Sequence, residues 1–214
     1  MHVWIITGGA VHPDHIPERP AKDDLVIAAD SGLENARALG IEVSTVVGDY
    51  DSLGHAPDVD AGVEVVTVPT EKDVTDTQLA VEYALQKGAR DITILGGLGG
   101  RLDHTLANIS ILEDLLTKGV RATIADGQNR VRLLRNDSTI LPRSSYKYLS
   151  LLSLDPIAKG VEIEGVKYPL KKARLHRTLG GFGVSNEITG NCCLVAVRKG
   201  TLLIVESRDV RPEP

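Results

Sequence analysis

At 214 residues, with 42% hydrophobic and 25% charged side chains, the chain has the composition of a folded globular protein of one large or two small domains, not of a disordered or fibrous one. No apolar run approaches the roughly 20 residues that a membrane helix needs, and Met1-His2-Val3-Trp4 opens without the basic and apolar segments of a secretory leader, so a cytoplasmic protein is expected. The net charge of −5 divides unevenly, with 9 Lys and Arg against 21 Asp and Glu up to Asp126 and 15 against 8 beyond it, a balance of −12 and then +7; an acidic first half, and a basic second half without interleaved aromatics, exclude nucleic acid as the expected partner.

Short β-branched runs at residues 3–7, 25–29, 44–47, 63–68, 91–95 and 121–125 read as strands. Helical patterns lie between them. Residues 31–39 end at Gly40; residues 75–87 carry Leu79, Ala80, Tyr83 and Ala84 and stop at Gly88; residues 103–118 carry Leu106, Ile109, Leu112, Leu115 and Leu116 and stop at Gly119. Strands alternating with helices of this length build βαβ units and a mostly parallel sheet. Past Asp126 the helical period disappears, and residues 130–134, 148–154, 161–164, 193–198 and 202–207 read as strands, with Lys199-Gly200 as a tight hairpin between the last two. Their spacing fits a small antiparallel sandwich. The expected organisation is an α/β domain with a mostly parallel sheet over residues 1–128, a junction over 129–143, and an all-β sandwich over 144–214. The only two cysteines, Cys192 and Cys193, are adjacent, which suits small strand residues and neither a metal pattern nor a disulfide framework.

In an open α/β sheet, ligands bind beyond the carboxyl ends of the strands. This chain places carboxylates and glycines there repeatedly: Asp30 after one strand, Asp49 and Asp51 after the next, Asp73 and Asp76 after the fourth, and "GGLGGRLDH" after the fifth. Asp30 before Ser31 fits an N-cap as well as a site, and Asp73 with Asp76 fits a capping pair at a helix start. Asp49 and Asp51 differ, because two positions apart in extended chain both carboxylates share a face. Like charges that close raise each other's pKa unless a cation intervenes. Oxygen ligands without a Cys or His pattern suit a hard cation, and Mg²⁺ typically takes one or two carboxylates together with substrate phosphates. The glycine-rich stretch is neither a dinucleotide fingerprint nor a P-loop. Its backbone N–H groups at a helix start, with Arg101 beside them, suit phosphate oxygens, while Asp103 fits a partner of Arg101 or a metal ligand.

In this order, Ala29-Asp30-Ser31-Gly32, "GDYDS" at 48–52, "EKDVTDT" at 71–77, "GGLGGRLDH" at 96–104 and "GVSNE" at 183–187 resemble the thiamine pyrophosphokinase family across nearly the whole chain. The resemblance implies an α/β catalytic domain, a β-sandwich that helps to bind thiamine, a homodimer with active sites between subunits, and transfer of a pyrophosphoryl group from ATP to thiamine with release of AMP. It implies Asp49, Asp51 and Asp76 as the Mg²⁺ and phosphate-positioning set, with Asp30, Asp73 and Thr77 close by. Arg101, with Gly99, Gly100 and Asp103, would serve the nucleotide phosphates, and Ser185 and Asn186 would line the thiamine pocket. His104 lies in the same motif, as ligand contact or as structure. Animal members stack thiamine on a tryptophan of the second domain, whereas the sole tryptophan here is Trp4, in the first strand, which leaves Phe182 or Tyr168 as stacking candidates. Two other classes stay open on the residues alone: a phosphohydrolase acting on nucleotides, and a non-catalytic nucleotide or thiamine sensor.

Overall fold

The computed structural model describes residues 1–48, 59, 61–67, 74–179 and 181–209. Contacts divide the chain after Gly127 into two compact units.

The first unit contains β1 (His2–Ile6), a 3₁₀ turn (Pro13–His15), β2 (Leu25–Ala29), α1 (Gly32–Leu39), β3 (Thr45–Gly48), β4 (Glu64–Thr67), α2 (Asp76–Gln86), β5 (Asp91–Leu95), α3 (Leu102–Thr117) and β6 (Arg121–Ala125). All six strands pair in parallel, in the order β4-β3-β2-β1-β5-β6. Because helices cover both faces of such a sheet, its central strands read as near-continuous apolar runs; Ile5, Ile6, Ile27, Ile92, Ile94, Leu95 and Ile124 are fully buried. Burying each such side chain contributes roughly 1.5–3 kcal/mol. At the edge, β4 has mostly exposed residues. The expected helices and strands fall within one or two residues of those observed. Two details differ. The capping pair expected of Asp73 and Asp76 is replaced by Thr75, whose Oγ1 accepts from Gln78 N at 3.3 Å, with Asp76 as the first helical residue; Asp73 lies outside the described residues. Leu106, read as part of the buried stripe of α3, is exposed, while Asn108, Ile111, Leu112 and Leu115 face inward, because the stripe begins a turn later than the leucine pattern suggests. Trp4 is buried, and its Nε1 donates to Asp24 Oδ2 at 2.9 Å, a structural role.

The second unit consists of β7 (Asn129–Arg135), β8 (Ser138–Pro142), β9 (Tyr148–Ser153), β10 (Ile157–Glu164), β11 (Leu170–His176), β12 (Cys192–Lys199) and β13 (Thr201–Ser207). Here β7-β13-β9 and β11-β10-β12-β8 are antiparallel ladders. The alternate residues Leu149 and Leu151, Val161 and Ile163, and Val195 and Val197 pack into one core with Leu141 and Ile204, as in a sandwich. Within residues 129–143, expected to be the junction, the strand read at 130–134 is β7, and β8 follows it unannounced; their alternation is broken by charged residues, of which Arg130 and Arg132 are held by the buried Glu206, directly across the ladder from Arg130. Lys199-Gly200 is a turn, but not between paired strands. It passes the chain from one sheet to the other, with Gly200 at φ 117° and its N–H donating to Asn136 Oδ1 at 2.8 Å.

Candidate functional site

In the first unit the chain runs from β1 outward through β2 and β3 to β4, then returns to the other side of β1 as β5. That reversal opens a crevice between the loops after β1 and β5, the position where ligands bind in open α/β sheets. A cleft of about 340 Å³ occupies it, lined by Thr7-Gly8-Gly9 after β1, Asp30-Ser31 after β2, Gly96 to Arg101 after β5 apart from Leu98, and Thr75-Asp76-Thr77 at the start of α2, with His104 and Asn108 from α3. The N-terminal ends of α1, α2 and α3 therefore all border one cleft, through Ser31, Asp76 and Arg101. Each helix N-terminus carries a partial positive charge and unsatisfied N–H groups, so three together favour a polyanion.

Backbone meets backbone at this crevice. A Cβ placed on Gly9 would lie 1.9 Å from Gly96 O, so only glycine permits the loops after β1 and β5 to touch. Two asparagines hold them there. Asn35 Nδ2 donates to Thr7 O at 2.6 Å and to Gly9 O at 2.7 Å, and the buried Asn108 donates through Nδ2 to Gly97 O at 2.8 Å. Asp30 has a left-handed backbone, φ 45°, where a non-glycine residue costs about 1 kcal/mol or more. Strain at the end of a strand that borders the cleft is consistent with a residue retained for its carboxylate.

Arg101 and Asp103 form a two-pronged pair, Nε to Oδ1 at 3.1 Å and Nη2 to Oδ2 at 2.6 Å. The Arg101 hydrogen bond holds the Asp103 carboxyl below its usual range, and the same bond raises the guanidinium. Asp103 also accepts from His104 N at 2.9 Å, which ties the pair to the first turn of α3. Both side chains are mostly exposed, so the pair orients Arg101 more than it stabilises the fold. Of the expected site residues, Asp30, Asp76, Thr77, Gly99, Gly100, Arg101 and His104 border the same cleft, and Asp103 is joined to it through Arg101. Asp49, Asp51 and Asp73 lie outside the described residues. Among the described residues no group of three His, Cys, Asp or Glu gathers as a metal centre.

In the second unit Ser185 is exposed at φ 57°, and its N–H donates to Ser150 Oγ at 3.0 Å. Asn186 is buried, and its carboxamide is occupied by backbone. Oδ1 accepts from Tyr168 N at 3.0 Å and Glu187 N at 3.0 Å, while Nδ2 donates to Tyr168 O at 2.8 Å. Its own backbone pairs with Leu149 of β9. The expected pocket residue thus acts as a bracket between β9 and the loop that presents Tyr168, which is 60% exposed, as Phe182 is 56% exposed.

A family model described as thiamin pyrophosphokinase, catalytic domain, matches residues 18–124, and one described as thiamin pyrophosphokinase, vitamin B1 binding domain, matches residues 137–202. The chain belongs to the thiamin pyrophosphokinase family. A thiamine pyrophosphokinase of Bacillus subtilis is 29% identical over 96% of this chain and 98% of its own length. The crystal structure of a thiamin pyrophosphokinase family protein from Enterococcus faecalis superposes with a TM-score of 0.80 at 26% identity, covering 98% of this chain and all of that one. A thiamine pyrophosphokinase structure from Bacillus subtilis shares the fold, with a TM-score of 0.83 over 98% of this chain and 100% of that one, at 24% identity.

A thiamin pyrophosphokinase cleft of this shape also depends on residues that the sequence motifs did not single out: Gly8 and Gly9, Asn35 and Asn108. The glycines carried a readable signal, a Gly-Gly pair directly after a strand. The asparagines carried none, because a polar residue in a helix looks like surface until the loop it holds is seen.

Proposed function

We propose that the chain transfers the pyrophosphoryl group of ATP to the hydroxyl of thiamine, giving thiamine diphosphate and AMP. The observation that carries this reading is the convergence of three helix starts, two glycine loops and Arg101 on one cleft at the reversal of strand order. Phosphoryl-type transfer asks mainly for alignment and charge neutralisation. Loop N–H groups and the Arg101 guanidinium would hold the phosphate oxygens, with Asp103 fixing the guanidinium's direction. The hydroxyl oxygen of thiamine forms a bond to the β-phosphorus while the bond from that phosphorus to the AMP oxygen breaks. Its proton leaves to a carboxylate, for which Asp76 is the candidate in the cleft, or to solvent.

The described donors around the cleft, Asp30, Asp76 and the hydroxyls of Thr7, Ser31, Thr75 and Thr77, are oxygen ligands, a chemistry that fits Mg²⁺. Asp49, Asp51 and Asp76 would hold the ion; β3 ends at Gly48, and Asp49 is the next residue in the chain. When bound, Mg²⁺ would neutralise phosphate charge. Thiamine would be taken by the second unit near Ser185, with Asn186 acting through the Tyr168 loop, and with Tyr168 or Phe182 stacking on its rings. The family resemblance implies a homodimer, and no described helix is long and apolar enough to cross a membrane.

Incubation with ATP, Mg²⁺ and thiamine, followed by separation of nucleotides, tests the reading. AMP and thiamine diphosphate should appear in equal amounts and only when thiamine is present, and EDTA should stop the reaction. Inorganic phosphate released without thiamine would identify a phosphohydrolase, and tight binding of both ligands without AMP would identify a sensor; either result overturns the proposal.

A further inference from the structure

The sheet β11-β10-β12-β8 carries cations that the transfer reaction does not use. A cup of about 560 Å³ opens on it, lined among others by Lys159, Lys172, Arg174 and Arg198. Lys159 and Arg174 are direct partners across β10 and β11, an arrangement in which like charges repel and weaken the ladder. Arg198 lies against Gly160, where a Cβ would come within 2.8 Å of the arginine's own Cβ and 3.1 Å of its Nε. The glycine therefore lets the arginine side chain lie over the strand backbone. Gly160 sits in one irregularity of the β10–β11 ladder, and Lys172, with φ 49°, sits in the next. A lysine in the left-handed region costs about 1 kcal/mol, which a glycine there would avoid.

None of these four cations makes an ion pair or side-chain hydrogen bond among the described residues. Asp137 and Glu162 share the lining, yet neither is within ion-pair distance of the four, and Asp137 Oδ1 accepts from Ser138 N at 2.7 Å instead. Repulsion and strain are thus kept at one place with no ion pair to offset them among the described residues, and the four cations outnumber the two carboxylates of the lining. The volume is in the range of small-molecule sites, roughly 300–1,000 Å³. Two guanidiniums and two ammoniums match the oxygens of a compact, multiply charged phosphate compound. Among the described residues no aromatic side chain lines the cup, so a base would find no stacking platform and the phosphate chain itself is what the site would recognise.

We propose that the cup formed by Lys159, Lys172, Arg174 and Arg198 is a second anion site, separate from the cleft of the first unit, which binds short polyphosphate chains. Titration calorimetry of the full chain with inorganic tripolyphosphate at low salt, without Mg²⁺, tests it. The parent should show two classes of sites. Combining Lys172→Gly with Arg174→Gln should weaken one class at least tenfold, while ATP-to-thiamine turnover stays unchanged and the midpoint of thermal unfolding does not fall, since glycine relieves the strain at 172. Arg101→Ala should weaken the other class only. An isotherm of the double variant that superimposes on the parent's overturns the proposal. So does a parallel fall in turnover, which would make this face part of the transfer machinery, or a change in oligomeric mass with tripolyphosphate binding intact, which would make it a protein interface.

Discussion

Substituting Gly9 by alanine tests the idea that direct contact between the loops after β1 and β5 sets the width of the cleft. The added Cβ would stand 1.9 Å from Gly96 O, against an ordinary carbon-to-oxygen approach of about 3.3 Å, so one loop must retreat by roughly 1.4 Å. The obstacle is backbone, held from both sides by Asn35 and Asn108, and it cannot swing away as a side chain would. Crowding of this kind costs about 1–3 kcal/mol, equivalent to a fall in melting temperature of roughly 4–12 °C for a domain of this size. A misplacement of about 1 Å at a phosphate-positioning loop costs on the order of 100-fold in rate. Gly119→Ala is the control: it places a Cβ in open space at φ 71°, so it carries about 1 kcal/mol of backbone strain without moving either loop. Thermal unfolding, with thiamine diphosphate formation measured on the same preparations, should show Gly9→Ala losing both stability and turnover, and Gly119→Ala losing a few degrees only. If Gly9→Ala turns over within threefold of the parent and melts within a degree of it, the loop contact does not shape the site.

Arg101→Ala should leave thermal stability nearly unchanged, because the Arg101–Asp103 pair is exposed, while turnover falls by about 10² to 10³; a change of only a few-fold would remove Arg101 from the phosphates. Asp51→Asn should abolish turnover with an unaltered melting temperature, and a variant keeping most of its activity would take Asp51 out of the metal set. Asn186→Ala releases three hydrogen bonds from a buried side chain and should destabilise by about 2–4 kcal/mol, with KM for thiamine rising more than kcat falls; an unchanged KM would separate the bracket from thiamine binding. Burial, reinforced by the Glu206 charge, pushes the Cys193 thiol from 9.0 up to about 11. The folded chain keeps this proton at a pH where the unfolded chain has lost it. Stability should accordingly be intact below pH 9 and decline from 9 through 11, by up to about 1.4 kcal/mol per pH unit. Denaturation midpoints for the parent and Cys193→Ala should diverge over that interval, and parallel curves would refute the assignment.

Local pattern was enough to read most elements of this fold. Unbroken apolar runs such as residues 25–29 must be covered on both faces, and the glycines after each helix stop it where the pattern says, so the α/β character and the later sandwich followed from periods of 3.6 and 2. Carboxylates and glycines at strand ends pointed to the rim of the sheet for the same reason: in parallel strands every carboxyl end falls on one edge. Strands β8 and β11 were not legible. "LKKARLH" places three charged residues in one strand, and only pairing with β10 makes it extended.

Tertiary structure alone decided the rest. That Gly9 must be glycine depends on Gly96, 87 positions away in the chain, and that Asn108 is a support depends on the carbonyl it meets. Asn186 matched a motif as a ligand residue, yet the fold occupies its amide with the backbone of Tyr168. Likewise, the turn at Lys199-Gly200 looks like a hairpin until its two strands are found in different sheets. A sequence carries what neighbouring residues impose on each other; which distant backbone group a side chain must satisfy is fixed only when the chain has closed on itself.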